Sequence, residues 1–421
     1  MLVYKFGGAS IATPENMKAL LPVIAEAPDR VVLVVSALGK TTNALEKVVD
    51  AACKDRKDEA RQLAHTLEQD HLEYARTILT GNHLEDLERA LNTFFTELQW
   101  AIDDASGDRY DYSYDQIVCM GELMATRIFS FLLLQQGLPF EWIDVRDVIR
   151  TDDTFRDARV DWDYSAQQAQ KLMAPQLAAG KNIITQGFIG ATADNASVTL
   201  GREGSDYTAA MLAAMLGASS VTIWKDVEGL QNADPKAFPN TVKIEAITYH
   251  EVIEMAYYGA QVIHPKTIKP LQNNNIPLYV RCFSNKELKG TVIKNEVNSI
   301  FYPPLIVLKK NQALLQMTTR DFSFITEENL RILYGIFHSL KIKVNLIQNA
   351  AISFVACIDH RDDLINKLIT ELEKDYNVLL NENVSLLTVR HYTPEILASL
   401  TKDRYTLLEQ KTRHTVQVVL K

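Results

Sequence analysis

The run Val31-Val32-Leu33-Val34-Val35 constrains this chain more than any other feature. Five consecutive branched apolar residues leave no face for solvent, so a strand made of them is covered on both sides, as strands of a helix-flanked parallel sheet are. Shorter apolar segments of the same kind predict strands at 2–6, 31–36, 140–144, 182–186 and 219–224. They alternate with helix-periodic stretches through the first two thirds of the chain. The fold class this implies is α/β, a three-layer sandwich around a mostly parallel open sheet. Residues 41–105 are charged, alanine-rich and helix-periodic, broken at Gly81-Asn82, and read as a helical hairpin inserted into the sheet domain. Further helices are expected from about Tyr114 to Gln136, at 205–216 and at 250–262.

Beyond Pro303-Pro304, in the segment 298–304 read as a domain boundary, the pattern changes to α+β. Strand-like 312–319, helical 328–340 and strands at 344–347 and 353–358 are echoed by 384–390, 394–400, 405–409 and 415–420. This reads as a small β-α-β-β unit repeated, the second copy trimmed, with a single α+β cap without internal repeat as the plainer alternative. The expected division is a catalytic domain over 1–297 and a second region over 305–421.

Composition excludes several function classes. The 44 basic and 53 acidic residues give a net charge of −9 with no basic block, which speaks against nucleic acid or an anionic membrane as main partner. Cys53, Cys119, Cys282 and Cys357 form no C-x-x-C pair and fit free thiols in a reducing compartment. The N-terminus lacks a signal-peptide pattern and no apolar run is read as a membrane span, so a cytoplasmic location is expected.

Two glycine-bearing turns then suggest chemistry. The first strand runs into Lys5-Phe6-Gly7-Gly8-Ala9-Ser10, and Thr13-Pro14 marks a helix start. Glycines let backbone N–H groups approach an anion and a lysine adds charge, although alone such a loop is more often a plain turn. The second is Gly201-Arg202-Glu203-Gly204-Ser205-Asp206, opening the helix at 205–216. Ser205 and Asp206 are also what an ordinary helix start carries, while the planar fork of Arg202 suits a carboxylate. Glu122 lies in an apolar helical stretch, where a carboxylate must be paired or reach a cavity; an exposed helix acid is the commoner case. Asp226 and Asp234 follow the strand at 219–224, at the end where open α/β sheets bind ligands. Gly39-Lys40-Thr41 imitates a P-loop end, but Val34 stands where its first glycine is needed; no G-x-G-x-x-G, protein-kinase signature or H-E-x-x-H occurs. No metal-ligand cluster is assigned.

In order along the chain, K-F-G-G-A-S (5–10), V-V-S-A (34–37), T-T-N (41–43), G-E-L-M-A-T (121–126) and I-T-Q-G-F-I-G (184–190) are followed by G-R-E-G-S-D-Y-T-A (201–209). W-K-D-V-E-G-L (224–230), N-A-D-P-K (232–236) and M-A-Y-Y-G-A-Q-V-I-H-P (255–265) complete the series. Together these resemble the aspartate kinases of the amino-acid kinase family, and the C-terminal repeat resembles their paired ACT-type regulatory modules. The resemblance implies ATP- and Mg²⁺-dependent phosphorylation of the β-carboxylate of L-aspartate, the entry to lysine, threonine and methionine synthesis. It implies catalytic roles for Lys5, Gly7, Gly8 and Asp206. The aspartate pocket would comprise Ser36, Thr42, Glu122, Phe188, Arg202 and Ser205, with Arg202 on a carboxylate and Glu122 on the α-ammonium. The nucleotide would meet Lys5, Gly8, Ser10, Lys225, Asp226, Gln231, Asp234, Lys236 and Gln261. A homodimer and an amino-acid effector at the tail are further implications. From the length, no fused homoserine dehydrogenase is expected.

The chain departs from the family pattern at Ala9 (threonine in relatives), Glu203 (glycine), Lys225 (threonine) and Gln261 (a lysine that helps bind ATP). Glu203 could face the triphosphate unless it points to solvent, and Lys225 could supply the charge missing at Gln261. V-N-L-I-Q-N-A-A (344–351) replaces V-D-L-I-T-T-S-E of lysine-sensitive relatives, so altered or absent feedback is expected. A sister amino-acid kinase acting on another acid, and a catalytically retired amino-acid sensor, are the alternatives.

Overall fold

The computed structural model describes residues 1–297 and 302–421, so part of the expected boundary segment, 298–301, lies outside the described residues. The chain divides into two compact units. The first holds Met1–Leu230, Glu245–Ile253 and 262–297; the second holds Gln231–Ile244, Glu254–Gln261 and 302–421.

The first unit is built on one eight-stranded sheet. Its strands include β1 (Leu2–Phe6), β2 (Val31–Val35), β3 (Phe140–Trp142) and β4 (Asn182–Gln186). A separate two-stranded ribbon, β5 (Ile189–Ala191) and β6 (Ser197–Thr199), follows, and β7 (Ser220–Lys225), β8 (Ala246–Thr248), β9 (Leu278–Cys282) and β10 (Thr291–Lys294) complete the sheet. The spatial order is β3-β4-β2-β1-β7-β9-β10-β8, parallel except for β9 with β10. All five residues of β2 are buried, as an unbroken apolar run demands.

Short helices α1 (Pro14–Ala19) and α2 (Leu21–Ala25) follow β1, and the Thr13 hydroxyl caps α1 by accepting from Asn16 N at 3.2 Å. The insertion is three helices rather than a hairpin: α3 (Thr41–Cys53), α4 (Lys57–Ile78) and α5 (Gly81–Asp104). The expected single helix over 114–136 is two, α6 (Tyr110–Val118) and α7 (Met120–Gln135), parted at Cys119. By length and composition Gly107–Gln135 would pass as a membrane span, which corrects the reading that no apolar run does; most of it is buried inside this unit. Next come α8 (Trp162–Leu172), α9 (Ala174–Ala178), α10 (Gly204–Leu216), α11 (Tyr249–Tyr258) and α12 (Pro265–Asn273). Alternation along β1 shows the layers. Lys5 meets Asp206 of α10, while its neighbour Phe6 points to the other face and meets Phe129 of α7.

The second unit centres on a six-stranded antiparallel sheet of β11 (Leu305–Thr319), β12 (Val344–Asn349), β13 (Ser353–Asp359), β14 (Tyr376–Arg390), β15 (Thr406–Lys411) and β16 (Thr415–Leu420). Their order is β12-β13-β11-β14-β16-β15. Helices α13 (Glu327–Ser339) and α14 (Asp362–Leu372) close a core of Leu315, Met317, Leu333, Phe337, Phe354 and Leu368. Helix α15 (Pro394–Thr401) contributes Leu397 to a second cluster with Val389, Val416 and Val418. One sheet serves the whole unit because β11 and β14, each 15 residues long, run side by side through its middle. The loop 231–244 is tied into this unit by Ile306 N donating to Asn232 O at 2.7 Å and Asn232 Nδ2 donating to Pro304 O at 2.9 Å.

Candidate active site

The carboxyl ends of β1, β2, β4 and β7 bring the glycine-bearing turns together. At the end of β1 the chain passes Gly7 into a short 3₁₀ turn, Gly8–Ile11. Gly8 tolerates no side chain: a Cβ there would lie 2.9 Å from both Ala37 O and Gly39 O. Ser10 is buried and its hydroxyl donates to Gly7 O at 2.6 Å. It braces the glycine turn from inside.

Lys5 Nζ lies 2.7 Å from Asp206 Oδ1, with side-chain exposures of 12% and 5%. Asp206 stands in the first turn of α10, where the helix dipole favours a carboxylate. Ser205 beside it takes a hydrogen bond from Ser36 Oγ at 2.9 Å, and Ser36 N donates to Phe6 O at 3.1 Å. The next residue, Ala37, donates its N–H to Glu122 Oε1 at 3.2 Å. Glu122 is buried in the first turn of α7, and its Oε2 has no hydrogen-bond partner. Burial pushes its carboxyl up to about 8, against which the Ala37 N–H and the Lys5 charge pull down. A polar path thus runs from Glu122 through Ala37, Ser36, Ser205 and Asp206 to Lys5. Gly121 makes the close packing possible: a Cβ there would be 3.0 Å from Ala37 Cβ and 3.3 Å from Thr41 Cγ2. Thr42 follows in the first turn of α3, half-buried.

Phe188 sits just past β4 in the left-handed region, φ 72°. Its N–H donates to Thr208 Oγ1 at 3.0 Å and its carbonyl accepts from Leu200 N at 2.8 Å. Gly187 and Gly204 permit this contact, since a Cβ at either would fall within 2.7 Å of Ser205 or Phe188 atoms. Arg202 is exposed and makes no ion pair with any described residue. Its guanidinium is therefore available to a carboxylate.

Glu203 takes neither of the courses expected of it. Its backbone is left-handed, φ 55°, and its Oε2 accepts from His264 N, the N-cap of α12, at 2.8 Å. The carboxylate satisfies a helix N-terminus. Lys225 ends β7 on the same sheet face as Lys5, because Lys5 pairs with Ile223 and the side-chain period is two. Its Nζ donates to Val262 O at 3.3 Å, next in sequence to Gln261. Asp226 is exposed at the turn that follows.

The other nucleotide candidates, Gln231, Asp234, Lys236 and Gln261, belong to the second unit. Asp234 acts there as a turn acid, its Oδ1 accepting from Lys236 N at 2.9 Å; Lys236 and Gln261 are exposed, and Gln231 bridges Lys243. Sequence reasoning missed the Ala37 N–H and the Thr208 hydroxyl, which hold Glu122 and Phe188; neither carries a signal of its own in the string. Among the described residues no group of three or more His, Cys, Asp or Glu side chains is placed to hold a metal ion.

The chain is similar to known proteins over most of its length. The amino acid kinase family profile matches residues 1–282. Lysine-sensitive aspartokinase 3 of Escherichia coli is 31% identical over 406 residues, 92% of this chain and 86% of that protein. Chloroplastic aspartokinase 2 of Arabidopsis thaliana is 29% identical over 92% of this chain and 73% of its own. A bifunctional aspartokinase/homoserine dehydrogenase of Zea mays is 33% identical, but the match spans only 32% of that protein's length. The crystal structure of E. coli aspartokinase III with lysine and aspartate superposes with a TM-score of 0.81 at 27% identity, covering 100% of this chain and 95% of that one. The chain belongs to the amino acid kinase family and, within it, to the aspartokinases.

Proposed function

We propose that this protein transfers the γ-phosphoryl group of ATP to the β-carboxylate of L-aspartate, giving 4-phospho-L-aspartate for lysine, threonine and methionine synthesis. The supporting observation is the polar path between Glu122 and Lys5. It offers a buried carboxylate with a spare oxygen at one end and a cation at the other. The α-ammonium of aspartate pairs with Glu122 Oε2, and Arg202 takes a substrate carboxylate through its two-pronged guanidinium.

A carboxylate with a pKa near 3.9 is already a nucleophile at neutral pH, so no general base is required. The barrier is the repulsion between this anion and the triphosphate. Lys5 exchanges Asp206 for phosphoryl oxygens, and the Gly7–Gly8 backbone lends N–H dipoles to the same charge. Lys225 and Asp226 serve the nucleotide from the end of β7. Magnesium comes in as part of the MgATP substrate. Ser10, whose hydroxyl is spent on Gly7 O, contributes by bracing the turn. The C-terminal unit binds an amino-acid effector and pairs two copies of the chain.

The test is hydroxylamine trapping of acyl phosphate by purified protein with MgATP and L-aspartate. Glutamate, acetylglutamate and a Lys5→Ala variant serve as controls. Aspartyl hydroxamate that depends on Lys5 is the expected result. Hydroxamate with another acid only would assign a sister activity, and no product from folded protein that binds an amino acid would assign a sensor.

A further inference from the structure

Asp115 lies in α6 outside every motif discussed above, yet it is 0% exposed and its carboxylate is fully used. Oδ2 accepts from Arg156 N at 2.9 Å and from Thr199 N at 2.9 Å, and Oδ1 accepts from Thr199 Oγ1 at 2.7 Å. No described cation pairs with it at salt-bridge distance, and burial pushes its carboxyl up to about 6 against the pull of these three donors and, last, of the Arg156 charge. A buried acid held by neutral donors is a costly way to fill space, so what it holds matters.

It holds two segments that meet under the substrate loop. One is β6, whose last residue is Thr199; Leu200, Gly201 and Arg202 follow directly. Ala158 N donates to Thr199 O at 3.2 Å and Leu200 N to Phe188 O at 2.8 Å, so the strand end is also fixed to Phe188. The other is the turn at Arg156, itself left-handed with φ 69°. This turn forms the floor of Gly201: a Cβ there would lie 2.7 Å from Asp157 Oδ1 and 3.3 Å from Arg156 O, and Gly201 has φ 76°. Arg202 has no ion pair among the described residues, so its backbone is what aims it. We propose that Asp115 is a positioning residue for aspartate recognition, clamping the Arg156 turn to the end of β6 so that Gly201 and Arg202 are presented in one orientation. This rests on the reading of Arg202 as the carboxylate-binding group.

The clamp needs acceptors in the right places rather than a net charge. An asparagine can reproduce it, with the amide oxygen taking both N–H groups and the amide nitrogen donating to Thr199 Oγ1. Alanine cannot, and leaves two backbone donors buried without partners. The test measures KM for aspartate, KM for ATP and kcat by hydroxamate formation in wild type, Asp115→Ala, Asp115→Asn and Thr199→Val. Misaiming a positioning group by about 1 Å costs up to roughly a hundredfold. Asp115→Ala should therefore raise KM for aspartate by about tenfold or more while KM for ATP stays within about twofold. Thr199→Val, which removes one of the three bonds, should give a smaller rise, and Asp115→Asn should restore near-wild-type values.

If Asp115→Ala does not fold, Thr199→Val and Asp115→Asn carry the same comparison. KM for aspartate unchanged in Asp115→Ala and Thr199→Val, or both KM values rising together in them, overturns the assignment. A wild type that makes no aspartyl hydroxamate overturns the proposed function instead, and the two failures cannot be confused.

Discussion

Replacing Glu122 by Gln tests whether its carboxylate reads the aspartate ammonium, and the structure sets the size of the effect. Glu122 is 3% exposed, takes a single backbone N–H from Ala37, and has its carboxyl raised from 4.5 to about 8 by burial. At pH 7 only about one molecule in ten carries the charge that an ammonium requires. Aspartate binding must then expel close to one proton at neutral pH, and KM for aspartate should fall about tenfold from pH 6 to 7 and about fivefold more from 7 to 8. The first of these steps is about 1.4 kcal/mol. Calorimetric titration in buffers of different ionisation enthalpy counts the proton, and initial rates across this range give KM. In Glu122→Gln the proton release and the pH dependence should both vanish, with KM above the wild-type value at pH 8. Stability gives an independent check. A carboxyl whose folded pKa lies above its unfolded value supports the fold fully below about 4.5 and loses that support as pH rises through about 8. Ligand-free Glu122→Gln should therefore melt above wild type at high pH and close to it near pH 4.5. A wild-type KM that is flat over the range, or proton release retained in the glutamine variant, would refute the assignment.

Lys5→Ala should lower kcat by roughly two to three decades and, by leaving Asp206 buried without its partner at 2.7 Å, lower stability by about 3–5 kcal/mol, read by thermal melts. Lys225→Thr should raise KM for ATP by about tenfold with little change in kcat if its ammonium supplies the charge absent at Gln261; an unchanged KM discards that compensation. Saturating lysine should leave hydroxamate formation unaffected. Asn345 is engaged inside its own unit, with Oδ1 taking Lys309 Nζ at 2.8 Å and Nδ2 donating to Gln312 Oε1 at 2.8 Å and Asp359 Oδ1 at 2.9 Å; inhibition by lysine would contradict this. Light scattering should give twice the chain mass, because Phe322 and Phe324 of the second unit are 75% and 73% exposed; a monomer would count against pairing through this unit.

The parts of the fold legible in the string were those whose cause is local. Val31–Val35 could only be a covered strand, and Thr13-Pro14 carried a helix start that the Thr13 cap fulfils. Glu122 stood out as an acid among apolar neighbours, and in the fold it is buried with one oxygen left without a partner. Where contacts come from distant segments, the string was silent. Nothing in K-F-G-G-A-S says that Ser10 turns inward, since a serine hydroxyl serves a phosphate or a carbonyl equally well. Glu203 was visible as an oddity, but its partner, His264 N, is a backbone group with no residue signature. The second unit shows a third kind of miss. Lys309-Lys310-Asn311 looks like a break before a strand at 312, whereas β11 carries on through it by a register shift with Asn311 at φ 55°.

That continuity has a consequence for how the second unit can change over time. Side chains of β11 and β14 alternate faces along 15 residues each, and the same two strands serve both halves of the sheet. Inserting or deleting one residue in either strand, outside the existing bulge, would invert every position downstream of it and turn core residues of the neighbouring half to solvent. The halves can therefore drift in their helices and edge strands, where β12 and β15 lie, but their lengths are locked together through the middle.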